Sequence, residues 1–163
     1  MIEAELPSNE PERLHALDQY QIMDTEDEAC FNDLVQLAAN ICNTPISIIS
    51  LLDEKRSWFK SAHGVGCGAE VDRKYSICSH AILHPDILVI EDTQLDARFI
   101  DNPTLTGDLN VRFYAGAPLK TSDGHLIGTL CVLDSAPRKL EPKQIDALRT
   151  LAKQVMAHLE LRK

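Results

Sequence analysis

The stretch VRFYAGAPLKTSDGHLIGTLCVLD, residues Val111–Asp134, decides the fold. Arg112–Leu119 combines two aromatic residues with small ones, and Leu126–Asp134 is mostly aliphatic. Ser122-Asp123-Gly124 stands between them. Asp-Gly between apolar runs signals a hairpin, because Gly accepts the positive φ such turns need. The segment therefore reads as two strands folded back on each other. Neighbouring strand residues point to opposite faces, so of Phe113 and Tyr114 one faces a helix-covered core and the other an opposite face.

Outward from this hairpin, Ile46–Asp53 is short, β-branched and bounded by Pro45 and a charge cluster, which predicts a buried central strand. Ser57–Ala62 predicts a second strand paired with it, where Trp58 and Phe59 again divide between faces. Ile87–Ile90 is a further short strand. Upstream, Leu14, Leu17 and Tyr20 share one helical face behind Pro11. Thr25 and Glu28 have capping-box spacing before a helix with Phe31, Leu34, Val35, Ala38, Ile41 and Cys42 on one stripe. Cys78–Leu83 predicts a short helix with Ser76 as N-cap, and residues 93–110 a long polar loop. Adjacent antiparallel strands between terminal helices imply an α+β fold, with one sheet and its helices on one face. Segments 63–86 and 93–110 then cover the other face, and a ligand cavity is expected beneath them.

The chain has 163 residues, 44% hydrophobic and 25% charged, in the range of an ordinary globular domain. We expect an acidic tail over 1–11 and one domain over 12–163. With 16 basic and 25 acidic residues the net charge is −9, which argues against nucleic acid or an anionic membrane as partner. No run approaches the roughly 20 apolar residues of a membrane span, and Met1–Glu5 lacks a signal-peptide layout. A cytoplasmic location is expected. Five cysteines, with no C-x-x-C pair, read as reduced thiols.

Taken together, several motifs resemble those of GAF domains, the small-molecule sensor modules of signalling proteins. They are Pro45–Asp53, Trp58-Phe59-Lys60, Ser76–Ile82, Asp92-Thr93 with Asp96–Pro103, and Arg112–Leu119 leading into Gly128-Thr129-Leu130-Cys131-Val132-Leu133-Asp134. The resemblance runs from about Glu12 to the chain end. It is closest to bacterial members that precede diguanylate cyclase, histidine kinase or other output domains. It implies an antiparallel sheet of five or six strands and a non-enzymatic sensor in two-component or cyclic di-GMP signalling. It names no cofactor. The expected ligand-binding set is Trp58, Cys78, His80, Asp92, Arg98, Asp101, Arg112, Phe113, Tyr114 and Cys131.

Cys78 and His80 of that set lie with His84 on a short segment that, if helical, puts both histidines on one face. A transition metal bound there with Cys67, a tetrapyrrole attached to the thiol, and a packed Cys beside a pocket-lining His80 are three readings. The packed reading is preferred, because the fourth metal ligand is remote and Ser79 separates Cys78 from His80, where tetrapyrrole-binding relatives place Cys directly before His. Cys67 with Cys78 suggests a thiol-based redox sensor, or an enzyme like the GAF-fold free methionine-R-sulfoxide reductases. Those carry a further cysteine before the closing hairpin, where this chain has Asp108–Arg112. Asp92, Arg98, Asp101 and Arg112 suit either a polar ligand or a network of mutual ion pairs. No acid–base pair or nucleophile elbow is visible, so catalysis is not expected.

Ile145, Leu148, Ala152, Val155 and Leu159 form a seam on the last helix, widened by Leu151 and Met156. Such a stripe suits packing on the sheet, pairing with a second copy, or both. A homodimer through the terminal helices is therefore expected. A dimerisation module with no ligand is a further alternative.

Overall fold

A computed structural model describes residues 1–66, 68–106 and 110–163 of the chain. Helices α1 (Glu10–Asp18) and α2 (Ala29–Cys42) precede strands β1 (Ile46–Leu52), β2 (Arg56–His63) and β3 (Glu70–Asp72). A single turn of helix, α3 (Cys78–Ala81), leads to β4 (Leu88–Ile90). The hairpin β5 (Phe113–Lys120) and β6 (Leu126–Asp134) follows, then α4 (Pro142–Glu160). Among the described residues the strands form one six-stranded antiparallel sheet in the order β3-β2-β1-β6-β5-β4. The α+β architecture read from the sequence is the one found, and Gly124 supplies the positive φ of the hairpin turn.

Every residue of β1 is buried, and β5 and β6 are buried nearly throughout. Two apolar layers cover them. On one face α1, α2 and α4 pack on Ile49, Leu51, Trp58, Phe113, Ala115, Ala117, Leu119, Leu130 and Val132. On the other, α3 and its neighbouring segments pack on Ile46, Ile48, Leu52, Tyr114, Cys131 and Leu133. Two-residue alternation sends adjacent residues of one strand to different layers.

The β1–β2 register shifts between Ile49 and Ser50, where Ser61 pairs with Ile49 and Phe59 with Ser50. Lys60 is the extra residue of this bulge, which places both Lys60 and Ser61 on the helix side. The Lys60 ammonium donates to Thr25 Oγ1 at 2.8 Å and to the Glu26 carbonyl, and pairs with the Glu28 carboxylate at 2.6 Å. These contacts replace the expected Thr25–Glu28 capping box. Helix α2 instead begins at Ala29, behind Glu28 in extended conformation.

Glu10 and Pro11 form the first turn of α1, where the sequence placed Pro11. Glu10 is buried between two arginines. Arg13 donates to both its carboxylate oxygens at 2.9 Å, and Arg73 donates to both as well. Arg13 also reaches the Leu52 carbonyl at 2.8 Å, and Arg73 the Asp53 carbonyl at 2.9 Å. This cluster ties α1 to the end of β1 and to the turn before α3. The tail itself docks, with the Ile2 amide donating to the Arg98 carbonyl at 2.9 Å.

The α4 seam is covered within the domain. Leu148, Ala152, Val155 and Leu159 are all buried against β5, β6 and α2, with Leu151 and Met156 beside them. Of the two kinds of packing the stripe suits, the one within the domain is present here. No helix among the described residues is long and apolar enough to cross a membrane.

Two outcomes are expected. A Cβ on Gly128 would sit 2.0 Å from the Ser50 carbonyl oxygen, which belongs to the neighbouring strand backbone. Gly128→Ala should cost about 3 kcal/mol in urea unfolding. The Glu10 carboxyl is pushed up by burial, but hydrogen bonds from Arg13 and Arg73 outweigh that and hold it at about 2, below its ordinary 4.5. A depressed folded value means that its stabilisation is present above 4.5 and is lost as pH falls toward about 2. Unfolding measured across that range should show Glu10→Gln clearly less stable than the parent at neutral pH, with the gap closing in acid.

Candidate functional site: an apolar cavity with a thiol and hydroxyl corner

Cross-strand pairing puts three rows of side chains on the face opposite the long helices. Ile46, Leu133 and Tyr114 form one row, and Ile48, Cys131 and Gly116 the next. Ser50, Thr129 and Pro118 form the third. Above them lies a cavity of about 110 Å³. Phe59 and Val71 close one side, Tyr75–Cys78 form its roof, and Thr104, Leu105 and Val111 close the remaining side. This is smaller than the roughly 300–1,000 Å³ of a drug-sized site, and suits a molecule of a few heavy atoms.

The covering segments are fastened by backbone-directed hydrogen bonds. The Asn102 side-chain amide donates to the Tyr75 carbonyl at 2.7 Å, and the Thr93 hydroxyl to the Val111 carbonyl at 2.8 Å. The Cys78 amide donates to Ser76 Oγ at 3.2 Å, although the N-cap of α3 is Ile77 and not Ser76 as expected. The Ser79 hydroxyl donates to the Arg73 carbonyl. Arg73 is in turn held by Glu10, so the roof is anchored to α1.

One corner of the cavity is polar. Cys78 Sγ lies 3.3 Å from Tyr114 Oη and 3.1 Å from Thr129 Oγ1. The adjoining Cys131 thiol holds the Cys78 thiol below its ordinary value against the opposing effect of burial, helped by the Thr129, Tyr114 and Ser76 hydroxyls. Cys131 is pushed the other way, by Cys78 first and by burial next. Burial, with the two thiols nearby, raises the Tyr114 phenol, which stays a neutral donor. Gly116 makes the corner possible, because a Cβ there would meet Tyr114 Oη at 2.2 Å. The ring lies over Gly116, two residues along the same face of the strand.

The expected site residues separate. Cys78, Tyr114 and Cys131 line the cavity. Trp58 and Phe113 do not: strand alternation turns both into the helix-side core, and Phe59 takes the cavity side. His80 faces away as well. Its Nε2 is 2.9 Å from the Ile2 carbonyl oxygen, and its ring stacks edge-on against Phe99 at 5.0 Å, where burial lowers its pKa. Helix α3 ends at Ala81, so His84 does not share a helical face with His80. The charged candidates pair with local partners. Arg112 forms two bonds to Asp92 at 3.0 and 2.9 Å, Arg98 binds Asp96 at 2.7 Å, and Asp101 is exposed. Among the described residues no charged side chain lines the cavity. Cys67, and with it any pairing to Cys78, lies outside the described residues. Phe59, Ser50 and Ser57 were missed, because only the cross-strand register puts them on the face of Tyr114.

A protein-family model for the GAF domain matches residues 26–159. The chain belongs to the GAF domain family. The GAF domain is 36% identical over 154 residues to a cyclic di-GMP phosphodiesterase of Pseudomonas aeruginosa, covering 94% of this chain and 26% of that protein. It thus spans about a quarter of that relative's length. Among solved structures it resembles the GAF domain of an Acinetobacter phosphoenolpyruvate-protein phosphotransferase, with TM-score 0.67, 18% identity and coverage of 96% and 95% of the two chains. It also resembles the blue-light absorbing form of the PixJ GAF domain from Thermosynechococcus elongatus, with TM-score 0.66, 18% identity and coverage of 91% and 89%. At such identities these likenesses speak for the fold.

The polar corner has a measurable signature. Tyr114→Phe removes one donor from the Cys78 sulfur and should cost about 1 kcal/mol of stability. It should also move the thiolate titration of Cys78, followed by ultraviolet absorbance against a Cys78→Ser control, to higher pH.

Proposed function

We propose that this GAF domain is a non-catalytic sensory module that binds a small, uncharged and largely apolar molecule in the cavity beneath Tyr75–Cys78. Occupancy is relayed to α4. The observation that carries this reading is the shared wall of β5 and β6. Tyr114, Cys131 and Leu133 line the cavity, while Phe113, Ala115, Leu130 and Val132, alternating with them, face the core under α4. A molecule that displaces the Tyr114 ring or spreads the β1–β6 rows changes the surface on which Leu148, Ala152 and Val155 rest. A ligand shifts α4 only by as much as its affinity differs between the two arrangements.

The apolar lining and the absence of charged side chains among its described residues favour a neutral ligand and disfavour a phosphorylated one. The relative named as a cyclic di-GMP phosphodiesterase supports a place for the domain in cyclic di-GMP signalling, next to an output domain. A signal carried by α4 fits that arrangement.

Native mass spectrometry of gently purified protein, followed by a thermal-shift panel of small neutral metabolites, tests the reading. A molecule at about 100 times its Kd should stabilise the domain by about 2.7 kcal/mol. Ile48→Trp should fill the cavity and remove that shift while the far-ultraviolet circular dichroism is retained. Hydrogen exchange in α4 should change on binding to the parent only. A clean apo mass with no stabilising compound, or equal stabilisation of Ile48→Trp, would refute it.

A further inference from the structure

The cavity corner holds two cysteines, Cys78 and Cys131, both part of its lining. Thr129 and Cys131 stand two residues apart on the same face of β6. Cys78 is brought down over this face from α3, with its sulfur 3.1 Å from Thr129 Oγ1, and Cys78 and Cys131 line the same cavity of about 110 Å³. Both thiols are free, buried, and part of the cavity lining. Cys30 and Cys42 lie on the other side of the sheet, in the helix-side core. Burial raises the Cys42 thiol to about 11, which leaves it protonated.

We propose that Cys78 and Cys131 form a dithiol site that a small hydroperoxide entering the cavity oxidises to a disulfide. The proposal rests on the reading that the cavity admits small molecules, and it adds a specific reactant. Cys78 is the attacking group and Cys131 the resolving one. The Cys78 sulfur attacks one peroxide oxygen, an S–O bond forms and the O–O bond breaks. The departing oxygen takes up the proton that Cys78 gave up and leaves as an alcohol or as water. Cys78 is then a sulfenic acid. The Cys131 sulfur attacks the Cys78 sulfur, an S–S bond forms and the S–O bond breaks. The released oxygen leaves as water with the Cys131 proton. Two thiols and one hydroperoxide give one disulfide, one alcohol or water, and one further water, a two-electron oxidation of the protein.

Three features suit the site to this chemistry. The Tyr114 and Thr129 hydroxyls stand at the Cys78 sulfur and can donate to a thiolate there. Donors of that kind favour the thiolate, which is the nucleophilic form. The apolar walls admit an uncharged peroxide and favour no anion. The product joins α3 to β6, across the wall that α4 rests on, so oxidation reaches the same output surface as a bound ligand.

The test uses the intact chain. Reduced protein is treated with hydrogen peroxide, remaining thiols are blocked with N-ethylmaleimide, and the unreduced digest is mapped by mass spectrometry. A Cys78–Cys131 linked peptide is expected in the parent and in Cys67→Ser. Cys131→Ala should give a dimedone-reactive sulfenic acid at Cys78 and no link. Cys78→Ser should slow peroxide consumption about tenfold or more. A link from Cys78 to Cys67, or no link at all, overturns the proposal. Methyl methanethiosulfonate, a small thiol reagent, separates the two ways of failing. Labelling of Cys78 without a peroxide-induced link leaves the cavity accessible and sinks the dithiol chemistry alone. No labelling sinks access and the dithiol together.

Discussion

The β1–β6–β5 ladder is buried on both faces, and the rest of the molecule answers to that constraint. A strand without solvent on either side must pair every backbone amide and carbonyl within the sheet. It must also find apolar cover above and below. The cover on one side is three helices, whose stripes supply Leu17, Phe31, Val35, Leu148 and Val155. On the other side a single turn of helix and irregular segments cover the sheet, and they leave a cavity. Backbone crowding is the cost of such a ladder. At Gly128 the next strand comes so close that no side chain fits.

Irregular cover needs polar fastening, because it has few apolar contacts of its own. Glu10 does much of this from a distance, through Arg73 at the start of the roof and Arg13 at the end of β1. Removing one member of such a buried group leaves an uncompensated charge, worth roughly 3–5 kcal/mol. The roof over the cavity thus depends on a helix that never touches the cavity. Asn102 does the same work for the segment that carries Thr104 and Leu105. Exposed pairs such as Arg149–Asp86 contribute far less, because both charges remain solvated.

Function is then a matter of which residues the alternation of the strands delivers to the cavity. The charged groups that attract attention as ligand contacts are consumed by one another: Asp92 by Arg112, Asp96 by Arg98. Among the described residues, what remains in the cavity is uncharged, with polar groups confined to sulfur and hydroxyls. The wall that carries these groups is the wall on which α4 lies.

Much of this was legible in the chain alone. The Asp-Gly turn, the β-branched run Ile46–Leu52 and the periodic stripes of α2 and α4 follow from local propensity and alternation, which act within a few residues. They determined the α+β class and the helix-covered sheet. They also showed that Phe113 and Tyr114 face opposite ways, and Trp58 and Phe59 likewise, but local pattern carries no absolute direction. Only the register with β1, and the bulge at Lys60, decided that Tyr114 and Phe59 face the cavity and that Trp58 and Phe113 do not. The same holds for Cys78 and Cys131. They are 53 residues apart, read from their positions in the sequence, and nothing local joins them. Strand pairing and the docking of α3, long-range events that bury both thiols at one point, brought them together.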